Sequence, residues 1–137
     1  MRSAYICSSL KLDNYNRTTE ILEQLSDYAL LLRPHPDEIT KPIKKLDTVK
    51  MDIVLIEGAD ELWLLSKFGR DCSWELGFAA AKGKIIRVLV DNTNRAAIES
   101  DWMLHQHAKL YYSIPEFIAS LVAVSEPKIF VEGRSYE

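Results

Sequence analysis

The sequence predicts an α/β fold, a three-layer sandwich built on a five-stranded parallel sheet. Three observations carry that prediction. Short apolar runs alternate along the chain with segments whose apolar residues recur at helical spacing. Those runs are nearly continuous, as in strands buried on both faces. Proline and glycine are sparse and fall mostly between the segments. At 137 residues the length fits a single domain, 1–137, with 128–137 as a C-terminal tail.

Taken in order, residues 4–8 (AYICS) read as a short buried strand. Residues 14–26 read as an amphipathic helix, with Tyr15, Thr18, Ile21, Leu22 and Leu25 on one face. Residues 28–32 (YALLL) are the second strand, running into Arg33-Pro34-His35-Pro36, which excludes regular helix and central strand. A second helix is expected over 41–50, with Pro42 in its tolerated first turn. The third strand is expected at 52–57 (DIVLIE), ended by Gly58, with a short helix or ordered loop over 60–68. A third main helix is expected over 71–82, with Asp71 or Ser73 as N-cap and Gly83 as its stop. Residues 84–90 (KIIRVLV) give the fourth strand, 93–100 a helical segment, 109–112 a fifth strand and 114–124 the last helix. Flavodoxin-like and Rossmann-like sheets of this kind bind ligands at the carboxyl ends of their strands, where strand order reverses. That places 7–13, 33–38, 57–75 and 91–95 at the functional edge.

Composition narrows the function. Hydrophobic residues make up 47%, charged residues 27%, and the net charge is −3. There is no basic footprint for nucleic acid and no apolar run long enough to cross a bilayer. The N-terminus runs straight into a strand-like stretch without the features of a signal peptide, so the expected compartment is the cytoplasm. Cys7 and Cys72 lie far apart in sequence and are expected as free thiols.

Several chemistries are disfavoured. Cys7-Ser8-Ser9-Leu10-Lys11 carries neither the dinucleotide glycine fingerprint nor a Walker A pattern. Ser8, Ser9 and Lys11 fit either a phosphate or sugar-hydroxyl contact or a solvated turn. His105 and His107 form an H-x-H pair without a third ligand, which reads better as a polar loop than as a metal site. No G-x-S-x-G elbow supports a serine triad. Cys72 lies near a helix start, but the neighbouring Asp71 and Glu75 oppose a thiolate there.

Glu75 is the open question. Placed in the first turn of its helix, it reads either as a carboxylate favoured by the helix dipole, worth a few tenths of a kcal/mol, or as an ionised nucleophile. Asp71 lies one turn before it, and Asp47 and Asp52 flank the expected start of the third strand. A carboxylate nucleophile with a second carboxyl nearby is the logic of retaining glycoside chemistry.

Three segments carry a resemblance: the start "YICSS" with its following helix, "LDTVKMDIVLI", and the most specific, "DCSWELGFAAAKGK". Together they resemble the nucleoside 2-deoxyribosyltransferases and the related deoxynucleotide N-glycosidases. A fourth segment, "DWMLHQHAKLYYSIPEF", is similar to the region that gives an asparagine to a neighbouring subunit's site, and the ending "KIFVEGRSYE" is similar to a pocket-closing tail. The resemblance implies Glu75 as the nucleophile that forms a glycosyl ester. It implies Asp71 and Asp47 as groups that bind or protonate the base, and His107 as a substrate-binding residue; Tyr5, Ser8, Ser9, Lys11 and Ser73 are expected to bind substrate with it. It also implies a homodimer or higher homo-oligomer, with neither cofactor nor metal. Two departures stand out: the loop before Glu75 lacks the family's "D-x-G-T" spacing, and a histidine, His107, takes the place of the asparagine.

The leading expectation is therefore an enzyme that cleaves or transfers at the N-glycosidic bond of a (2′-deoxy)nucleoside or nucleotide. The Ser-Lys set after the first strand mildly favours a 5′-phosphate. Two further readings stay open. One is a nucleotide-binding module without turnover, motivated by the departures. The other is a TIR-like NAD-cleaving enzyme, which breaks the same type of bond.

Overall fold

The computed structural model describes residues 1–9, 11–34, 42–67 and 69–124, and their side chains apart from those of 42–48 and 123–124. The expected tail at 128–137 lies outside the described residues, as do His35 and Pro36. Eleven elements follow one another: β1 (Ser3–Cys7), α1 (Leu12–Leu25), β2 (Leu30–Leu32), α2 (Pro42–Gly58), β3 (Glu61–Leu64), α3 (Arg70–Ala81), β4 (Ile85–Leu89), α4 (Arg95–Glu99), α5 (Trp102–His107), β5 (Ala108–Tyr111) and α6 (Ile114–Val124). The five strands form one sheet, all parallel, in the order β2-β1-β3-β4-β5. Strand order reverses at β1, so the ligand edge of such a sheet lies at the carboxyl ends of β1 and β3.

Alternation along the strands divides the core in two. On one face Ala4, Ile6, Trp63, Leu65 and Leu89 pack with Ile21, Leu22 and Leu25 of α1 and Phe117 and Leu121 of α6. On the other, Tyr5, Cys7, Leu62, Leu64, Ile86 and Val88 pack with Ile56 of α2, Cys72, Leu76 and Ala79 of α3, Ile98 of α4 and Leu104 of α5. The helical periodicity of α1 is the expected one, with Thr18, Ile21, Leu22 and Leu25 buried. At the end of α3, Gly83 takes the left-handed conformation, with φ 73°. The amides of Gly83 and Lys84 bond the carbonyls of Ala80 and Ala79, which closes the helix where the sequence places its stop.

The third strand differs from expectation. Residues 52–57 continue α2, and the strand is Glu61–Leu64, in the stretch expected as helix or loop. The run DIVLIE is apolar without being core. Ile53 and Val54 are 40% and 62% exposed, whereas all four residues of β3 are buried. Helical spacing turns Asp52, Leu55, Ile56 and Ala59 to the protein side, with Ile56 and Ala59 fully buried and Asp52 and Leu55 partly so. Asp52 therefore projects from a helix over the sheet face and does not flank the start of a strand.

A buried ion pair fastens β3 to β4. Arg87 is fully buried, and its Nε donates to Glu61 Oε1 at 2.8 Å. Trp63 Nε1 donates to the same oxygen at 2.8 Å, and Arg87 also donates to Tyr111 Oη and Ser120 Oγ. Arg2 Nε lies 3.8 Å from the other Glu61 oxygen. Every charge in this cluster has several partners, so removing one strands the others. Glu61→Ala is expected to lower unfolding free energy by about 3–5 kcal/mol in denaturant titration. A loss below about 1 kcal/mol, the range of an exposed pair, would show that the cluster is not holding β3 to β4.

Candidate active site

The carboxyl edge of the sheet is braced before any ligand arrives. The amide of Ser9, after β1, donates to the carbonyl of Lys67, after β3, at 2.9 Å. Asn94 is buried, and its Nδ2 donates to the carbonyls of Ser66 and Leu89 at 2.7 and 3.0 Å. Ser66 holds φ 61°, a conformation uncommon outside glycine. Asp91 accepts from the amide and hydroxyl of Thr93 and pairs with Arg17 of α1 at 3.0 Å. These contacts hold its carboxyl below the usual range despite partial burial, which pulls the other way.

Glu75 is built into this edge from α3. The helix starts at Arg70 with Gly69 as N-cap and no side-chain cap bond, so neither Asp71 nor Ser73 caps it. Glu75 therefore sits in the second turn, beyond the free amides of the helix start, and the dipole is not what governs its charge. Its carboxyl instead meets β1. Tyr5 and Cys7, two apart on the strand, project to the same face. Tyr5 Oη donates to Glu75 Oε2 at 2.8 Å, and Cys7 Sγ donates to Oε1 at 3.3 Å. Cys72, one turn before Glu75 on α3, is buried beside them. The two sulfurs and a Glu75 oxygen all lie within 4.8 Å of one another. Asp52 of α2 completes the cluster, near enough for its side chain to act on the Glu75 carboxyl.

The electrostatics follow from burial. Burial pushes the Glu75 carboxyl above its ordinary value. Hydrogen bonds from Tyr5, Cys7 and Asp52 pull it down, and the charge of Asp71 raises it further, for a net upward shift. Burial also raises the Tyr5 phenol and the Cys7 thiol, with the Glu75 charge adding to both. Both groups therefore remain protonated, as donors to the carboxylate must.

The sequence-derived site residues divide into three groups. Glu75 and Tyr5 come together directly, and Asp71, though exposed, is close enough for its charge to act on Glu75. Ser8, Ser9 and Lys11 lie after β1, at the carboxyl edge. Ser9 Oγ accepts from the Lys11 amide at 3.4 Å, and Lys11 is exposed at the start of α1. Of the remaining three, Ser73 and His107 make none of these contacts. Ser73 is exposed on the outer side of α3, in a shallow groove with Trp74, Gly77 and Phe78. His107 is exposed at the end of α5. Asp47 lies within α2, and its side chain is outside the described ones.

Sequence reasoning missed Cys7 and Asp52 as site residues. Cys7 was legible from strand alternation with Tyr5. Asp52 was legible only once 52–57 is read as helix, where it shares a face with Ile56 and Ala59.

No family model matches the sequence, and no curated protein matches it. Solved structures do match its fold, among them the following two. One is a 2-deoxyribosyltransferase from Bacillus psychrosaccharolyticus, with a TM-score of 0.67 at 14% identity over 87% of this chain and 95% of that one. The other is the CMP N-glycosidase of Clostridium botulinum, with a TM-score of 0.60 at 17% identity over 89% of this chain and 99% of that one. The chain has the fold of these enzymes. The likeness expected from the Glu75 segment is thus present in three dimensions, in a parallel sheet flanked by helices.

The raised carboxyl makes a stability prediction. A carboxyl whose folded pKa exceeds its unfolded one carries no cost below the unfolded value. The cost grows as pH rises towards the folded value and is complete above it. Glu75→Gln keeps the shape and removes the charge. Its melting temperature is expected to match wild type in acid and exceed it at pH 8. A variant less stable than wild type at pH 8 would show that the ionised carboxylate stabilises the fold.

Proposed function

We propose that the chain cleaves or transfers at the N-glycosidic bond of a nucleoside or nucleotide, with Glu75 as the nucleophile. The observation that carries this reading is the Glu75 carboxyl itself. It sits at the carboxyl edge of the sheet, oriented through both oxygens by Tyr5 and Cys7, with a second carboxyl, Asp52, acting on it. The fold shared with a 2-deoxyribosyltransferase and a CMP N-glycosidase supports it.

In the proposed reaction Glu75 attacks C1′. The C1′–N bond breaks, its electron pair leaves with the base, and a carboxyl proton is transferred to that base. Asp52, whose side chain acts on Glu75, is assigned as the donor; Asp71 or Asp47 is assigned to hold the base. The transition state is oxocarbenium-like and is favoured by the negative charge around it. Water, or a second base, then attacks C1′, gives its proton back to the carboxylate that served as donor, and releases Glu75 as carboxylate. Ser8, Ser9 and Lys11 are assigned to the 5′ end, and Ser73 to the rim of the pocket. Exposed Trp102 and Met103 beside His107 on α5 support assembly with a second copy, to whose site His107 would contribute. The chain is read as one cytoplasmic domain. Among the described residues no helix is long and apolar enough to cross a membrane.

Incubation with a panel of nucleosides, nucleoside monophosphates and NAD, with and without a free acceptor base, tests the reading by chromatography. Wild type is expected to release or exchange a base, and Glu75→Gln to lose that activity by roughly 10³-fold or more. No turnover of any substrate by folded protein would leave the binding-module reading. Release of nicotinamide alone would favour the NAD-cleaving one.

The pH profile gives a second check. Glu75 must be ionised to attack, so the acidic limb of activity follows its protonation. Tyr5→Phe removes a donor that favours the carboxylate, so that limb is expected to move to higher pH. A limb that stays in place, or moves to lower pH, would separate Glu75 from the rate.

A further inference from the structure

We propose that Cys7, Cys72 and Glu75 form a binding site for a thiophilic divalent cation of the zinc class, and that the bound ion holds Glu75 out of the reaction. The donor geometry comes first. Both cysteine sulfurs and a Glu75 oxygen lie within 4.8 Å of one another. A tetrahedral zinc with Zn–S bonds of ~2.3 Å places two sulfurs roughly 3.8 Å apart. Side-chain movements of about an ångström therefore close the cluster on an ion.

The scaffold is already set for it. Cys72 and Glu75 stand one turn apart on α3, and Cys7 ends the strand that α3 covers. Tyr5 holds Glu75 Oε2, which leaves Oε1 turned to the sulfurs. An outer hydrogen bond that orients a ligating carboxylate is a regular feature of metal sites. Asp52, beside Glu75, or a water supplies the fourth position. Two sulfurs with carboxylate oxygen select zinc-like ions over magnesium and calcium, which take all-oxygen sets. On binding, each thiol gives its proton to solvent as the sulfur–metal bond forms. The cation then sits against two thiolates and one carboxylate. An Oε1 lone pair engaged with the ion is not available to C1′; this consequence rests on the function proposed above, whereas the site itself does not.

The chain has two cysteines, and both are here. A sulfur-to-cadmium charge-transfer band therefore reports this cluster alone, whatever ions the surface histidines take. The protein is titrated with Cd²⁺ under a phosphine reductant. The band is expected to saturate at about one ion per chain and to be discharged by Zn²⁺. Cys7→Ser and Cys72→Ser, each checked for folding by circular dichroism, are expected to abolish that end point. Glu75→Gln, which keeps both thiols, is expected to weaken binding by roughly 10-fold or more.

No band in wild type, or a band unchanged by either serine variant, overturns the site. Unchanged affinity in Glu75→Gln overturns the role of the carboxylate in it. The optical reading needs no substrate, so failure of the glycosidic reading leaves it standing. If base release is found, zinc at full occupancy is expected to stop it, and continued turnover there would overturn the inhibitory role.

Discussion

The hydrogen bond from Tyr5 to Glu75 sets the chemistry of this protein. A carboxyl covered by a helix on one side and a strand on the other would have to give up its charge unless donors replaced the lost water. Strand β1 supplies two. Its alternation turns Tyr5 and Cys7 to the face that α3 covers, and each takes one oxygen of Glu75. Hydrogen bonds to a charged group are worth about 1.5–3 kcal/mol, yet burial still outweighs them, since the net shift is upward. The result is an oriented carboxyl that keeps a raised affinity for a proton.

The opposite face of the sheet shows what full compensation looks like. Glu61 is buried too, but it meets Arg87 and the Trp63 indole, with Arg2 nearby. That cluster ties β3 to β4 and holds the middle of the sheet. The Glu75 cluster has thiol, phenol and carboxyl neighbours, and among the described residues no cation is seen bonded to Glu75. Buried charge held by a matched counter-charge is structural. Buried charge held only by neutral donors costs stability and is the kind that functional sites retain.

Much of the fold was legible because parallel sheets write themselves as short apolar runs between amphipathic helices. β1, β2, β4, β5 and α6 fall where the sequence places them, and Gly83 ends α3 as expected. The third strand was misplaced because DIVLIE and ELWL are both short apolar runs, and composition does not say which one the sheet buries. Ile53 and Val54 spend their hydrophobicity on an exposed helix face, a choice made by packing and not by propensity. The same error hid Asp52, which reaches Glu75 only from a helix. Glu75 itself was legible from its local segment, but the reason for its charge was not. The sequence pointed to the helix dipole, whereas burial raises the carboxyl and the donors that oppose it come from β1, some seventy residues earlier in the chain.

The central claim is that Glu75 makes and breaks a bond to the sugar. Rapid quenching of wild-type protein with a substrate whose base is released, followed by peptide mass spectrometry, tests it directly. A sugar mass on the peptide containing Glu75, absent from Glu75→Gln, is the expected result. Base release with an unmodified Glu75 peptide at every quench time, under conditions where an ester survives, would contradict the account and leave Glu75 as a charge beside a reaction carried out by water.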